Sequence, residues 1–398
     1  IGFNQFSVQG KRMSGSKQES SPVMHFDIDQ ARHKTLADTQ LYKYFQAAVR
    51  HKTSDLLMRG GEPPKLRLRG ELKSLDVDPP SVEEFNAMIF EGITDEQKEE
   101  FGKRGSLDLG IDFMVDEEKH RFRVNIFLTR GRCAIAARRV SNEILDFEDL
   151  YLPEAMKKIA DETHQGLVLL CGVTGSGKST TIASMLQRIN ETRKCHILTI
   201  EDPIEYLFTD AKAMFNQREV GIDVPDFATA LRAMVRENPD VVLIGEMRDR
   251  ETFEAALQAA ETGHLVFGTI HASSCSQAFG RIYDLFPAEE RENVRSLLAY
   301  QMQAFVYQKL LPTLMPDVPR VPAVEILLQA PPTRNLILEG REGELEKVIS
   351  DSRESGMQSY VDSLVDLVEK NYVHPKVAQA ASASPEEIKM RLRGIKTK

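Results

Sequence analysis

The sequence contains no tryptophan, only 7% aromatic residues, four scattered cysteines and no excess of basic charge. It also has no apolar run near the roughly 20 residues needed to cross a bilayer. Each shortage excludes something. Cys133, Cys171, Cys195 and Cys275 form neither a CxxC nor a Cys/His spacing of the zinc type, so buried reduced thiols are expected. With 60 acidic against 51 basic residues the net charge is −9, the wrong sign for a broad phosphate-backbone binder. A strand-translocating helicase or other RecA-like DNA-handling enzyme needs a basic or aromatic channel, for which this composition leaves little material. No direct nucleic-acid partner is therefore expected. Residues 1–30 lack the apolar core of a signal peptide, so a cytoplasmic location is expected.

What is present is enough for real cores: 398 residues, 41% of them hydrophobic, a length at which two domains plus tails are natural. Residues 1–35 are polar and read as a disordered or expression-derived leader. Residues 36–140 read as a small α+β domain. Tyr42, Phe45 and Val49 share one helical face, and SDLLMRG and KLRLRG are strands around the turn GGEPP. Helices start at the capping boxes Ser81/Glu84 and Thr94/Gln97, and strands are expected at 106–115, 121–129 and 133–140. An acidic connector, 141–153, ends in Pro153. From 154 to 286 strand and helix alternate, with apolar runs at 166–172, 196–200, 240–246 and 264–270 of the kind buried on both faces of a parallel sheet. A helix from Asp249 to Thr262 is stopped by Gly263. The fold class is α/β. Residues 287–398 read as a helical appendage: a long helix to Leu310, helices near 331–340 and 356–370, and a last helix with Ser384 as cap, Pro385 in its first turn and Glu387 closing the box.

GVTGSGKST, residues 172–180, fits GxxxxGK(S/T), with a strand before it and a helix after it. Gly172, Thr174, Gly175, Ser176, Gly177, Lys178, Ser179 and Thr180 are thus the candidate nucleotide-binding residues. The glycines let backbone N–H groups curl around phosphate oxygens, Lys178 reaches the β and γ phosphates of ATP, and Ser179 can hold Mg²⁺. In PDVVLIGEMRD, Glu246 ends an apolar strand at the edge where open α/β sheets bind ligands, placed to polarise the attacking water. The alternative is a surface ion pair with Arg248. In TIEDPIEY, Glu201, Asp202 and Glu205 could hold Mg²⁺ through water or position the nucleophile, or be solvated loop acids. His264 and His271 bracket the last apolar strand, either as hydrogen-bonded histidines or as sensors of the γ phosphate.

Taken in order, GVTGSGKST, TIEDPIEY, NQREVG, NPDVVLIGEMRD and ETGHLVFGTIHASS resemble the Walker A, Asp box, Walker B and His box of the secretion-ATPase superfamily, nearest to the type IV pilus retraction ATPases, the PilT and PilU group. SDLLMRGGEPPKLRLRGEL and RFRVN resemble that family's PAS-like domain. The resemblance implies a RecA-like ATPase domain preceded by a PAS-like domain, with Lys178 and Ser179 as phosphate and Mg²⁺ ligands and Glu246 as the catalytic carboxylate. Glu201 becomes its helper and a metal ligand, and His264 and His271 the His-box pair. It further implies that Arg123 and Arg138 approach nucleotide, that the assembly is a homohexamer, and that the partner is an inner-membrane platform protein, with a paralogous retraction ATPase as a further partner. Extension and type II secretion ATPases are the alternative within the superfamily, but they usually add a long N-terminal region and a tetracysteine zinc site. Asn238, Leu57 and the segment PPTRNLILEG depart from the family pattern, and the last leaves open a paralogue-dependent accessory role.

Overall fold

A computed structural model describes residues 35–68 and 70–394. The expectation for the leader, 1–35, falls outside these residues apart from Thr35.

The first unit runs α1 (Tyr42–Arg50), β1 (Asp55–Arg59), β2 (Lys65–Leu68), β3 (Glu71–Ser74), α2 (Val82–Glu91), α3 (Asp95–Arg104), β4 (Ser106–Val115), β5 (Glu118–Thr129) and β6 (Arg132–Val140). Among the described residues its strands form one antiparallel sheet in the order β3-β2-β1-β6-β5-β4. Alternation decides the faces: along β5, His120, Phe122, Val124 and Ile126 are buried while the residues between them are less so. Phe45 of α1 packs on Phe113 and Phe122 at ring separations of 5.7 and 5.3 Å. Both expected capping boxes close, with the Glu84 N–H donating to Ser81 Oγ at 3.1 Å and the Gln97 N–H to Thr94 Oγ1 at 3.2 Å. Strand β3 has no counterpart in the sequence reading, because all four of its residues are exposed and carry no burial pattern.

The second unit runs α4 (Glu154–Glu162), β7 (Gly166–Cys171), α5 (Lys178–Thr192), β8 (His196–Glu201), β9 (Met214–Glu219), α6 (Phe227–Met234), β10 (Val241–Ile244), α7 (Arg250–Glu261), β11 (Leu265–Ile270), α8 (Cys275–Tyr283), α9 (Arg291–Gln301), β12 (Met302–Pro312) and β13 (Arg320–Leu328). Its strand order is β13-β12-β7-β11-β10-β8-β9, parallel except for the β12/β13 hairpin. Helices cover both faces. Leu167 and Leu169 of β7 face a core shared with α7, α8 and α9, and Val168 and Leu170 face one shared with α4 and α5. Burial on both faces is why β7, β10 and β11 are continuous apolar runs.

One expectation is corrected here. The helix expected to run on to Leu310 stops at Gln301, and residues 302–312 and 320–328 are strands that extend the sheet along β7. An unpaired β7 edge would leave buried backbone groups without partners, and β12 supplies them. The second sheet therefore continues past residue 286, to Leu328. The helical region is present but begins later, as α10 (Pro331–Leu338), α11 (Leu345–Asp351), α12 (Tyr360–Glu369), α13 (Pro375–Ala381) and α14 (Pro385–Leu392). Ser384 sits at the start of α14 with Pro385 in the first turn, but its side chain makes no capping hydrogen bond. The connector 141–153 is packed onto the second unit: Phe147 is buried, and Ser184 Oγ donates to the Leu145 carbonyl at 2.8 Å.

Candidate active site

The glycine-rich loop joins β7 to α5. Gly175 (φ +76°) and Gly177 (φ +87°) are in the left-handed region that glycine adopts without strain. Gly172 is also fixed by space, since a Cβ there would lie 2.5 Å from the Gln308 carbonyl oxygen. Lys178 Nζ donates to the carbonyls of Gly172 at 2.8 Å and Val173 at 3.1 Å. Burial holds its ammonium pKa below the usual lysine value, with the charge of Glu246 opposing. Thr180 Oγ1 and Tyr206 Oη are 2.7 Å apart.

The loop opens onto a cleft of about 510 Å³ lined by Thr174, Gly175, Gly177, Lys178, Ser179 and Thr180 on one side and by Glu201, Glu205, Glu246 and His271 on the other. This is the C-terminal edge of the parallel sheet, where the ends of β8, β10 and β11 converge. Gly172 and Ser176 are not part of that lining.

Glu246 follows β10 by two residues. Thr269 Oγ1 donates to the Gly245 carbonyl at 2.7 Å and pins that short segment to β11. The Glu246 carboxylate lies 2.5 Å from Arg248 Nη2 and 2.9 Å from His271 Nε2. The hydrogen bond from Arg248 holds its pKa below the ordinary carboxylate range. Glu246 is thus ion-paired to Arg248 and lines the cleft onto which the loop opens.

Glu201, the last residue of β8, is a different carboxylate. It is buried, accepts from Thr199 Oγ1 at 2.6 Å and from Gln217 Nε2 at 3.3 Å, and is pushed up to about 7, chiefly by burial. Asp202 and Glu205 stand exposed on the rim. The Ser179 hydroxyl and the Glu201 carboxyl face one cleft and are hard oxygen donors, which fits Mg²⁺. Among the described residues no group of three or more His, Cys, Asp or Glu could hold a metal unaided. An ion that takes its remaining ligands from phosphate and water needs no such group.

Three expected site residues are not brought to the cleft. His264 precedes β11 and His271 follows it, so the strand's six residues separate them by about 20 Å at the usual rise per residue. His264 Nδ1 instead lies 2.9 Å from the Ala259 carbonyl, securing the turn after α7. Arg123 and Arg138 are cross-strand neighbours in β5 and β6, outside the cleft lining, and Arg138 Nε donates to Asp55 Oδ1 at 2.9 Å. Arg121 of the first unit makes an ion pair with the second. Its guanidinium joins Asp112 at 3.1 Å and the buried Glu219 at 3.0 Å, and Glu219 is paired in register with Glu201 across β8/β9. The charge of Arg123 also acts on the same Glu219 carboxylate.

Sequence reasoning also missed four other residues of the cleft wall, Tyr206, Thr269, Leu310 and Arg320. Leu310 and Arg320 belong to the β12/β13 hairpin, whose first strand lies in the stretch expected to be helix up to Leu310 and whose second strand was given no element. Within VYQKLL no residue pattern separates strand from helix, so the sequence carried no signal for these two.

Comparison with known proteins gives a consistent neighbourhood. The family described as type II/IV secretion system protein matches residues 30–364. The type IV pilus retraction ATPase PilT of Pseudomonas aeruginosa is 39% identical over 339 residues, 85% of this chain and 97% of that protein. A twitching motility protein of Neisseria gonorrhoeae is 41% identical over 326 residues, 82% of this chain and 86% of that protein. Among solved structures, the pilus retraction motor PilT with bound ADP superposes with a TM-score of 0.77 at 39% identity, covering 90% of this chain and 99% of that one.

Proposed function

The chain belongs to the type II/IV secretion system protein family, and from that premise we propose that it is an ATP-hydrolysing motor for type IV pilus retraction, and so for twitching motility. In this reading it works as a homohexamer at the cytoplasmic face of the membrane, on a platform protein. The relatives named for retraction and twitching support the direction of the work. No helix among the described residues is long and apolar enough to cross a membrane, which fits force delivered through a partner.

The observation that carries the chemistry is the Glu246 carboxylate, held ionised at the strand end and facing the glycine-rich loop across one cleft. The loop's N–H groups and Lys178 bind the phosphates, giving up the Lys178 contacts to Gly172 and Val173 as they do so. Glu246 orients and polarises the water that attacks the γ phosphate, and His271, 2.9 Å away, can hold the proton that Glu246 takes up. Ser179 and Glu201 would hold Mg²⁺, which would supply charge neutralisation at the phosphate oxygens. Opening and closing between the two units, joined through Arg121 and Glu219, would carry the cycle to the platform.

The test has two arms. Glu246→Gln should bind ATP normally and hydrolyse it at less than about one hundredth of the parent rate, because the carboxylate acts on water rather than on bound phosphate; normal turnover sinks the assignment. A deletion strain should keep or increase its surface pili and lose twitching. Loss of pili altogether would make the protein an extension motor.

A further inference from the structure

We propose that Gln308 is the positioning residue of the phosphate-binding loop, an assignment that rests on the reading of the cleft as an ATP site. Gln308 lies in β12, about 130 residues beyond the loop in sequence, and is 2% exposed. A primary amide at that depth has to be hydrogen-bonded, and its partners define what it does. Nε2 donates to the Ser176 carbonyl at 2.8 Å, and Oε1 accepts from Thr181 Oγ1 at 2.9 Å.

Those two partners straddle the segment that matters. Ser176 is the residue before Gly177, Thr181 lies in the first turn of α5, and between them are Lys178 and Ser179. In a planar trans peptide the C=O and the following N–H point in opposite directions. Holding the Ser176 oxygen toward Gln308 therefore aims the Gly177 N–H away from it, toward the cleft that Gly177 lines. The same amide sets the space available: a Cβ on Gly177 would lie 2.8 Å from Gln308 Nε2, and one on Gly172 2.5 Å from the Gln308 carbonyl oxygen. Gln308 thus fixes the loop's peptide orientation before any anion arrives, and its neighbour Tyr307 is paired in register with Cys171, the residue at which the loop departs from β7.

An N–H aimed at phosphate contacts charge present in ADP, ATP and the transition state alike, so the consequence falls on binding. In the full chain, Gln308→Leu should raise the Kd of a fluorescent ADP about tenfold, the effect of about one misdirected hydrogen bond, and leave kcat at saturating ATP within about twofold. Thr181→Val, which removes one anchor, should give a smaller rise, and the double variant should be no worse than Gln308→Leu alone. Gln308→Asn, too short to reach both partners, should resemble Gln308→Leu; it and Thr181→Val carry the test if the leucine variant does not fold. Unchanged ADP affinity in folded variants, or a fall in kcat with affinity intact, overturns the assignment while wild-type binding leaves the ATP site standing. Failure of the wild-type chain to bind ADP overturns both.

Discussion

Replacing Glu201 by glutamine should make the protein more stable and less active, and both effects should depend on pH in a defined sense. The carboxyl has an ordinary value of 4.5 and is pushed up to about 7 in the folded chain, chiefly by burial, with the charge of Glu205 adding to it. The folded state therefore binds more protons than the unfolded one between about pH 4.5 and 7, and stability from this group is fully present below that window and is lost as pH rises through it. The full difference corresponds to at most about 3 kcal/mol. Glutamine keeps the shape, accepts from Thr199 and carries no charge, so Glu201→Gln should match the parent in Tm near pH 5 and exceed it by a few degrees at pH 8.5. Activity runs the other way. The ionised fraction of Glu201 rises from about one tenth at pH 6 to about nine tenths at pH 8, so kcat/KM at limiting Mg²⁺ should rise nearly tenfold across that range in the parent and stay low and flat in the variant. Thermal melts and steady-state ATPase profiles at matched ionic strength suffice. A variant no more stable than the parent at pH 8.5, or a parent profile flat from pH 6 to 8, refutes the reasoning.

Lys178→Ala should lose nucleotide affinity by a large factor, read by titration with fluorescent ADP, since the ammonium meets charge already present in the ground state. Arg121→Ala should destabilise the folded chain by about 3 kcal/mol by leaving the buried Glu219 without its hydrogen-bonded partner, and Arg121→Ala with Glu219→Gln should recover much of that loss in urea melts. If Arg123 and Arg138 complete a neighbouring subunit's site, Arg138→Ala mixed with active subunits should depress turnover by more than its share of the mixture; full activity in dilute monomers would end that idea.

The parts of the site legible in the sequence are those whose chemistry demands a fixed local pattern. The loop glycines are required by backbone conformation, Glu246 by its place at the end of a run buried on both faces, and Ser179 by adjacency to Lys178. Residues whose role depends on which strand lies beside which were not legible. VYQKLL spaces its apolar residues in a way that suits a helix as well as a strand, and only the open edge of β7 decides between them. Arg121 and Arg123 are two apart on β5 and so share a face of its sheet; contact with Glu219 separates them, and nothing in RFRVN does. His264 and His271 look equivalent as brackets around one strand, yet the strand's length puts one at the catalytic edge and the other at the far edge.

The place of β12 in the sheet has a consequence for biosynthesis. The strand that leads into the phosphate-binding loop is made first and its neighbour on one side about 130 residues later, so during translation β7 waits with one edge open until the chain has reached Pro312. A ribosome stalled anywhere in α8 or α9, or a gene split at the apparent end of the alternating strand and helix pattern, would release a chain whose most apolar strand can pair with any passing edge. The last third of the sequence is, in that sense, the chaperone of the first strand of the catalytic sheet.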